Sequence, residues 1–235
     1  MRRLTGTLYL IPSTLGETGS LSDIPLRTAE TATRLRHFIV ENDRTARAFL
    51  KRLDETIPLR DCTFDILDKR TTKEEIVRYL DHAVSGGETG LLSEAGAPCT
   101  ADPGADAVKI AHERNVRVVP LIGPSSILLS LMASGFNGQN FAFNGYLPVD
   151  KAERRKSILS LEKLAQKGQT QIFIETPYRN DALVADIVSA CRPDTKLCAG
   201  IDLTLESEEI VSMRIADWKK KKPEIGKRFA IFLLG

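Results

Sequence analysis

Apolar positions along the chain fall into two alternating patterns. Short unbroken or period-two apolar runs at 7–11, 37–40, 64–67, 90–92 and 116–121 predict strands in the first half. Between them, apolar residues recurring every three to four positions predict helices over 24–35, 44–53 and 105–114. Thr71 and Thr72 stand three residues ahead of Glu74 and Glu75, a capping-box signature for a helix reaching about residue 84. Past Gly123-Pro124 the pattern restarts. A helix is expected over 125–133, a strand over 141–146, a charged helix over 151–166, a strand over 171–175 and a helix over 180–190. Strands near 197–203, 209–213 and 228–234 complete the chain. This alternation means an α/β fold, and the Gly-Pro break divides it into lobes at 1–122 and 123–235.

Composition narrows the class without deciding the function. The 235 residues are 42% hydrophobic and 27% charged, the balance of a soluble globular protein with room for two modest domains. A formal net charge of +2 does not by itself point to nucleic acid, although such an average can hide a basic patch. The longest apolar stretches, such as 127–133, are too short to span a bilayer. Met1-Arg2-Arg3-Leu4-Thr5 leads into the first strand without an apolar leader core, so a cytoplasmic chain is expected. Cys62, Cys99, Cys191 and Cys198 form no C-x-x-C pair, and His37, His82 and His112 lack metal-ligand spacing; no disulfide, zinc framework or other metal is expected.

Candidate chemistry gathers just past the strands. Residues 91–104 read L-L-S-E-A-G-A-P-C-T-A-D-P-G, between an apolar strand and a helix, where open α/β sheets build ligand crevices. Small residues there admit a ligand to the backbone, while a structural turn with Asp102 capping the next helix explains the same letters. Residues 119–126, V-P-L-I-G-P-S-S, offer helix-entry N–H groups and hydroxyls for a carboxylate or ribose, or merely a cap at Ser125 and Ser126. Pro12 lies in the loop after the first strand, which carries no G-x-G-x-x-G; G-x-x-x-x-G-K-[ST] is also missing, so dinucleotide and P-loop fingerprints are absent. Glu41, Arg44 and Arg47 follow the second strand, and Tyr178 and Arg179 follow the strand at 171–175. Each group suits either a polar substrate or a surface ion pair. Lys151, Arg154, Arg155 and Lys156 make a basic face, and 219–222 a lysine run best read as a solvated helix end.

In order, these clusters resemble the tetrapyrrole methylase superfamily, and within it are most similar to bacterial small-subunit rRNA cytidine 2′-O-methyltransferases. Residues 8–16 resemble that group's L-Y-x-V-P-T-P-I-G-N loop and 23–29 its D-I-[ST]-x-R-A segment. Glu41, Arg44, Thr45 and Arg47 fall on E-D-T-R-T-T-R; 93–104 resemble S-D-A-G-T-P-x-I-S-D-P-G, and 118–125 resemble R-V-x-P-x-P-G-P-S. Residues 143–148, 175–179 and 202–209 are similar to F-x-G-F-L-P, E-S-P-H-R and E-L-T-K-x-x-E-E.

The resemblance implies two α/β lobes, each a mixed sheet flanked by helices, with S-adenosyl-L-methionine bound folded in the cleft between them and S-adenosyl-L-homocysteine released. It implies cofactor contacts at Pro12, Glu94, Ala95, Ala97, Ser125, Ser126 and Ile127, with an apolar adenine pocket near Phe173 and Ile174. No metal is required, and a homodimer acting on RNA or a ribosomal subunit is implied, with neither DNA nor membrane as partner. For a ribose hydroxyl acceptor, Glu41 and Asp102 are the candidate bases, Arg44 completes the catalytic set, and Arg47, Tyr178 and Arg179 are the substrate contacts. The chain departs from the pattern at Glu94, where the motif has aspartate, at Asn42 and Asp43, at 64–71, which lack an H-N pair, and at Tyr178, where the motif has histidine. Cofactor loops are thus better kept than substrate loops. Methylation of a small molecule such as a tetrapyrrole, and a non-catalytic cofactor- or RNA-binding module, are the competing readings.

Overall fold

A computed structural model describes residues 6–235, so the leader-free reading of residues 1–5 lies outside the described residues. The chain forms two compact units, dividing between Pro124 and Ser125. In unit 1 the order is β1 (Thr7–Ile11), α1 (Leu26–Arg34), β2 (His37–Val40), α2 (Asp43–Leu53), β3 (Thr63–Ile66), α3 (Lys73–Tyr79), α4 (Asp81–Val84), β4 (Glu88–Leu92), α5 (Gly104–Glu113) and β5 (Arg117–Pro120). The capping box at Thr72 and Glu75 does start α3, but the single helix expected to residue 84 divides at Leu80.

The unit 1 strands pair in the order β3-β2-β4-β1-β5, every pairing parallel. Strand alternation sorts the core onto two faces. Ile11, Phe38, Val40 and Leu92 pack with Ala32, Ala46, Phe49 and Leu50 of α1 and α2. Leu8, Ile39 and Leu91 pack with Ile76, Ala83, Ala107 and Ile110 of α3 to α5. Both faces are covered, which is why these strands read as nearly continuous apolar runs.

Unit 2 runs α6 (Ser126–Ser134), β6 (Phe141–Tyr146), α7 (Lys151–Ala165), β7 (Thr170–Ile174), α8 (Asn180–Ala190), β8 (Lys196–Ile201), β9 (Glu209–Arg214), α9 (Ile215–Lys221) and β10 (Ala230–Leu234). Its sheet, ordered β6-β7-β10-β8-β9, is mixed: β6 and β7 are parallel and the other pairs antiparallel. One face packs Phe173, Phe232, Leu197 and Ala199 against α7, α8 and Trp218 of α9. On the other face α6 lies close to the sheet, because Ser130 and Ser134 are its buried residues beside Leu131 and Gly200 has no side chain beneath Ser130. Leu128 and Met132 point outward, 53% and 78% exposed. Among the described residues, no helix is long and apolar enough to cross a membrane.

Candidate functional site

The order β3-β2-β4-β1-β5 places a topological switch point between β4 and β1. From β1 the chain passes to β2 on one side, and from β4 it passes to β5 on the other. Adjacent strands whose connections part in this way leave a crevice at their carboxyl ends, where ligands of open α/β sheets bind. The loops after these strands are tied together there. Ser13 N–H donates to the Gly96 carbonyl (3.1 Å), and Ser93 N–H donates to the carbonyl of Ile11 (3.1 Å). Gly123 lies against the Pro12 ring, so closely that a Cβ would overlap it. Thr28 Oγ1 of α1 donates to the Ile122 carbonyl (2.7 Å), fixing the segment after β5 to the same place.

The loop after β4 is held in an uncommon backbone shape. Gly96, Cys99 and Ala101 all have positive φ, at 71°, 63° and 65°. For two residues with a Cβ this is a strained conformation that needs outside support. Asp102 provides it: its carboxylate accepts from Cys99 N–H (2.8 Å) and Gly104 N–H (2.8 Å). Through Gly104, Asp102 thus anchors the start of α5, as its capping reading expects. Burial pushes the neighbouring Cys99 thiol up to about 12, with the Asp102 charge adding to it.

Three carboxylates meet where the β2 and β4 loops touch. Burial lifts the half-buried Glu41 carboxyl above the ordinary carboxylate range, and the charges of Asp102 and Glu94 add to the rise. The backbone N–H of Glu94 donates to it, a partly offsetting contact. The Glu94 carboxylate itself accepts from Thr45 Oγ1 (3.1 Å), in the first turn of α2. That turn is set by Asn42, whose Oδ1 accepts from Arg44 N–H (2.9 Å) and Thr45 N–H (3.3 Å). The departures at Asn42 and Glu94 thus belong to one local arrangement. The exposed Arg44 side chain makes no bond among the described residues.

Several expected ligand contacts have other work. Arg47 donates to Asp43 (2.7 Å) and to the Leu59 carbonyl (3.0 Å), and lies over the Phe64 ring at 4.1 Å. Arg179 donates to the buried Glu175 carboxylate (2.5 Å). Both guanidiniums hold the fold, so neither is the free substrate cation expected. Arg154 of the basic face is likewise bound to Asp186 (2.6 Å). Phe173 has no exposed surface and its side chain stacks on Phe232 in the unit 2 core, while its neighbour Ile174 is only partly buried. Tyr178, in contrast, is 81% exposed, with Lys227 Nζ 5.1 Å from its ring centroid.

Two features of unit 2 suit a polar ligand. At the start of α6, Ser125 makes no side-chain cap, so first-turn N–H groups and the hydroxyls of Ser125 and Ser126 remain available beside Ile127. In the loop after β8, Asp202 and Thr204 have positive φ (47° and 69°), and the buried Thr204 Oγ1 has no partner among the described residues. The sequence placed Thr204 in the segment similar to E-L-T-K-x-x-E-E without giving it a role; strain and an orphan hydroxyl together are visible only in three dimensions.

An all-parallel unit with small-residue loops at its switch point, followed by a mixed-sheet unit opening on a serine-led helix, is an α/β architecture other than the G-x-G-x-x-G dinucleotide folds. Residues 7–218 match the family of tetrapyrrole (corrin/porphyrin) methylases. The chain belongs to this family of S-adenosylmethionine-dependent methyltransferases. Relatives named ribosomal RNA small subunit methyltransferase I include that of Streptococcus pyogenes serotype M6, 32% identical across 88% of this chain and 68% of the relative. That of Leptospira borgpetersenii is 34% identical across 88% and 79%, and that of Buchnera aphidicola 28% across 98% and 78%. Among solved structures, the methyltransferase CobJ superposes with a TM-score of 0.61 at 16% identity, covering 99% of this chain and 94% of its own. Uroporphyrin-III C-methyl transferase from Thermus thermophilus, complexed with S-adenyl homocysteine, gives 0.57 at 16%, covering 98% and 97%. At such identities the structural likeness speaks to the fold alone.

Proposed function

We propose that this chain transfers a methyl group from S-adenosylmethionine to a ribose 2′-hydroxyl of small-subunit ribosomal RNA. The observation that carries the reading is the half-buried Glu41 carboxylate at the switch point, a base of raised affinity for a proton where an acceptor hydroxyl would enter. The relatives' shared name supplies the substrate class.

The residues present fit the cofactor. Glu94, Ala95 and Ala97, with Pro12, offer backbone unobstructed by bulky side chains, and the uncapped entry of α6 at Ser125, Ser126 and Ile127 suits a carboxylate. The unpartnered Thr204 hydroxyl is a further polar contact. When bound, S-adenosylmethionine supplies an already activated methyl group on a sulfonium, so the chain has to align rather than activate it. Glu41 accepts the proton that leaves the ribose hydroxyl as the new oxygen–methyl bond forms. Asp102 holds the loop that carries Glu94 and keeps a second negative charge near Glu41. Arg44, which is exposed and unpaired among the described residues, meets a flanking phosphate, and Tyr178 offers an open ring for a base. A homodimer in the cytoplasm belongs to the same proposal, supported by the apolar outward face of α6 at Leu128 and Met132.

The test is transfer of radiolabelled methyl to small ribosomal subunits, free rRNA and a metabolite extract, alongside calorimetric cofactor binding. Label in rRNA supports the reading. Label entering only a small molecule replaces the substrate and keeps the donor. Failure to bind the cofactor overturns the proposal.

A further inference from the structure

Unit 2 has an opening of its own. A cavity of about 310 Å³ lies at the free end of the β8–β9 pair, lined by Ser134, Phe136, Lys196, Ser212, Arg214 and Asp217. Lys196 and Arg214 are directly opposite each other in the antiparallel register, and Cys198 and Ser212 are the next pair on the same face. Ser212 Oγ donates to the Ser134 carbonyl (2.9 Å), so this face looks toward the end of α6. Like charges directly across a strand pair weaken a sheet. Both cations are exposed, and neither makes an ion pair among the described residues. The nearby acids offset them only in part. Asp194 is paired with Arg192 (3.2 Å) and also lies within the field of Arg214, and Asp217 is the carboxylate of the cavity wall.

A cation pair kept against its own repulsion calls for an anion between its members. Phe136, partly buried, gives the same cavity an aromatic wall, and the hydroxyls of Ser134 and Ser212 add polar edges. Cations beside an aromatic surface are the means by which proteins hold single-stranded nucleic acid, the charge taking the backbone and the ring a base. The volume matches the lower end of ligand sites, roughly 300 Å³, enough for one nucleotide. We propose that this cavity is an RNA exosite, binding one nucleotide of a single-stranded segment with its phosphate between Lys196 and Arg214 and its base against Phe136. The inference rests on the RNA-substrate reading and deepens it: unit 2 contributes a grip on the substrate of its own.

The measurement is fluorescence anisotropy of a labelled single-stranded RNA over a salt series, using the full chain. Neutralising one phosphate contact on a single strand changes the slope of log affinity against log salt by about 0.7. The double variant Lys196→Gln, Arg214→Gln, which frees that one phosphate, therefore lowers the slope by about 0.7 and weakens binding several-fold at low salt. Phe136→Leu weakens binding roughly tenfold without changing the slope. Asp217→Asn, which removes the carboxylate of the cavity wall, tightens binding. Unchanged cofactor affinity and melting temperature show that each variant is folded. An unaltered slope in the folded double variant overturns the exosite, as does weaker binding by Asp217→Asn. Label transfer to rRNA by the unmodified chain separates the two ideas. If transfer occurs and the slope stays put, the exosite alone fails; if the chain neither transfers label to RNA nor binds it, both fail.

Discussion

Glu41 and Asp102 lie close together yet do different work, and their variants should separate. Glu41→Gln is expected to cut methyl transfer by at least ~10²-fold, the scale of a lost general base, with cofactor affinity unchanged by calorimetry. The same variant has a stability signature. Because the folded state raises the affinity of Glu41 for its proton, the site's contribution is complete at low pH and is lost as pH rises through the elevated folded value. Gln removes that loss, so its melting temperature should exceed the unmodified protein's at pH 8 and converge with it in acid; a higher value only in acid would contradict the assignment. Asp102→Ala, which strands two backbone N–H groups of a strained loop, should cost about 1–2 kcal/mol in denaturant unfolding as well as activity. Residue types told part of this in advance. The sequence put Glu41, Glu94 and Asp102 in loops after strands, and the structure brings all three together. It left Arg47 and Arg179 between substrate contact and ion pair, although a signal for the pair was present: each has an acid four positions earlier, Asp43 and Glu175, to which it is bound.

At the scale of elements, strong local chemistry was legible and weak local chemistry was not. The Thr72–Glu75 box starts α3 as read, because a capping box is written in a few adjacent letters, whereas the Asn42 cap of α2 emerged only in the structure. Helix α9 was visible only as a lysine-rich end, since its seven residues show too few turns for a pattern; Trp218, 1% exposed and donating to the Leu197 carbonyl (3.0 Å), fastens it to the sheet. Helix α6 was read as apolar, but its serines face inward and its Leu128 and Met132 outward, a choice made by Gly200 beneath it. A Cβ at Gly200 would come within 3.3 Å of both Ser130 Cβ and Ile231 Cγ2. Gly200→Val should therefore lift α6, destabilising the chain by about 1–3 kcal/mol. The cofactor contacts proposed at Ser125 and Ser126 begin this helix, so calorimetry should also show weaker S-adenosylmethionine binding, whereas Ser189→Ala on α8 should leave it unchanged.

For the whole molecule, the alternation of strand and helix announced the α/β class, and the Gly-Pro pair pointed to a break within two residues of the division at Pro124. Strand direction was less legible. Parallel β1 to β5 and the largely antiparallel β7 to β10 contain similar apolar runs, and pairing depends on contacts remote in sequence. S-adenosylmethionine at a hundredfold excess over its Kd should stabilise the folded chain by about 2.7 kcal/mol, read as a rise in melting temperature. How that rise is observed depends on where the chromophores lie. The chain has one tryptophan, Trp218, sealed in the core of unit 2, while unit 1 has none among its residues. Fluorescence excited so as to spare the tyrosines is thus a private spectral channel for unit 2. A red shift of that emission dates the opening of one core, and any part of the circular-dichroism melt that does not coincide with it belongs to the other.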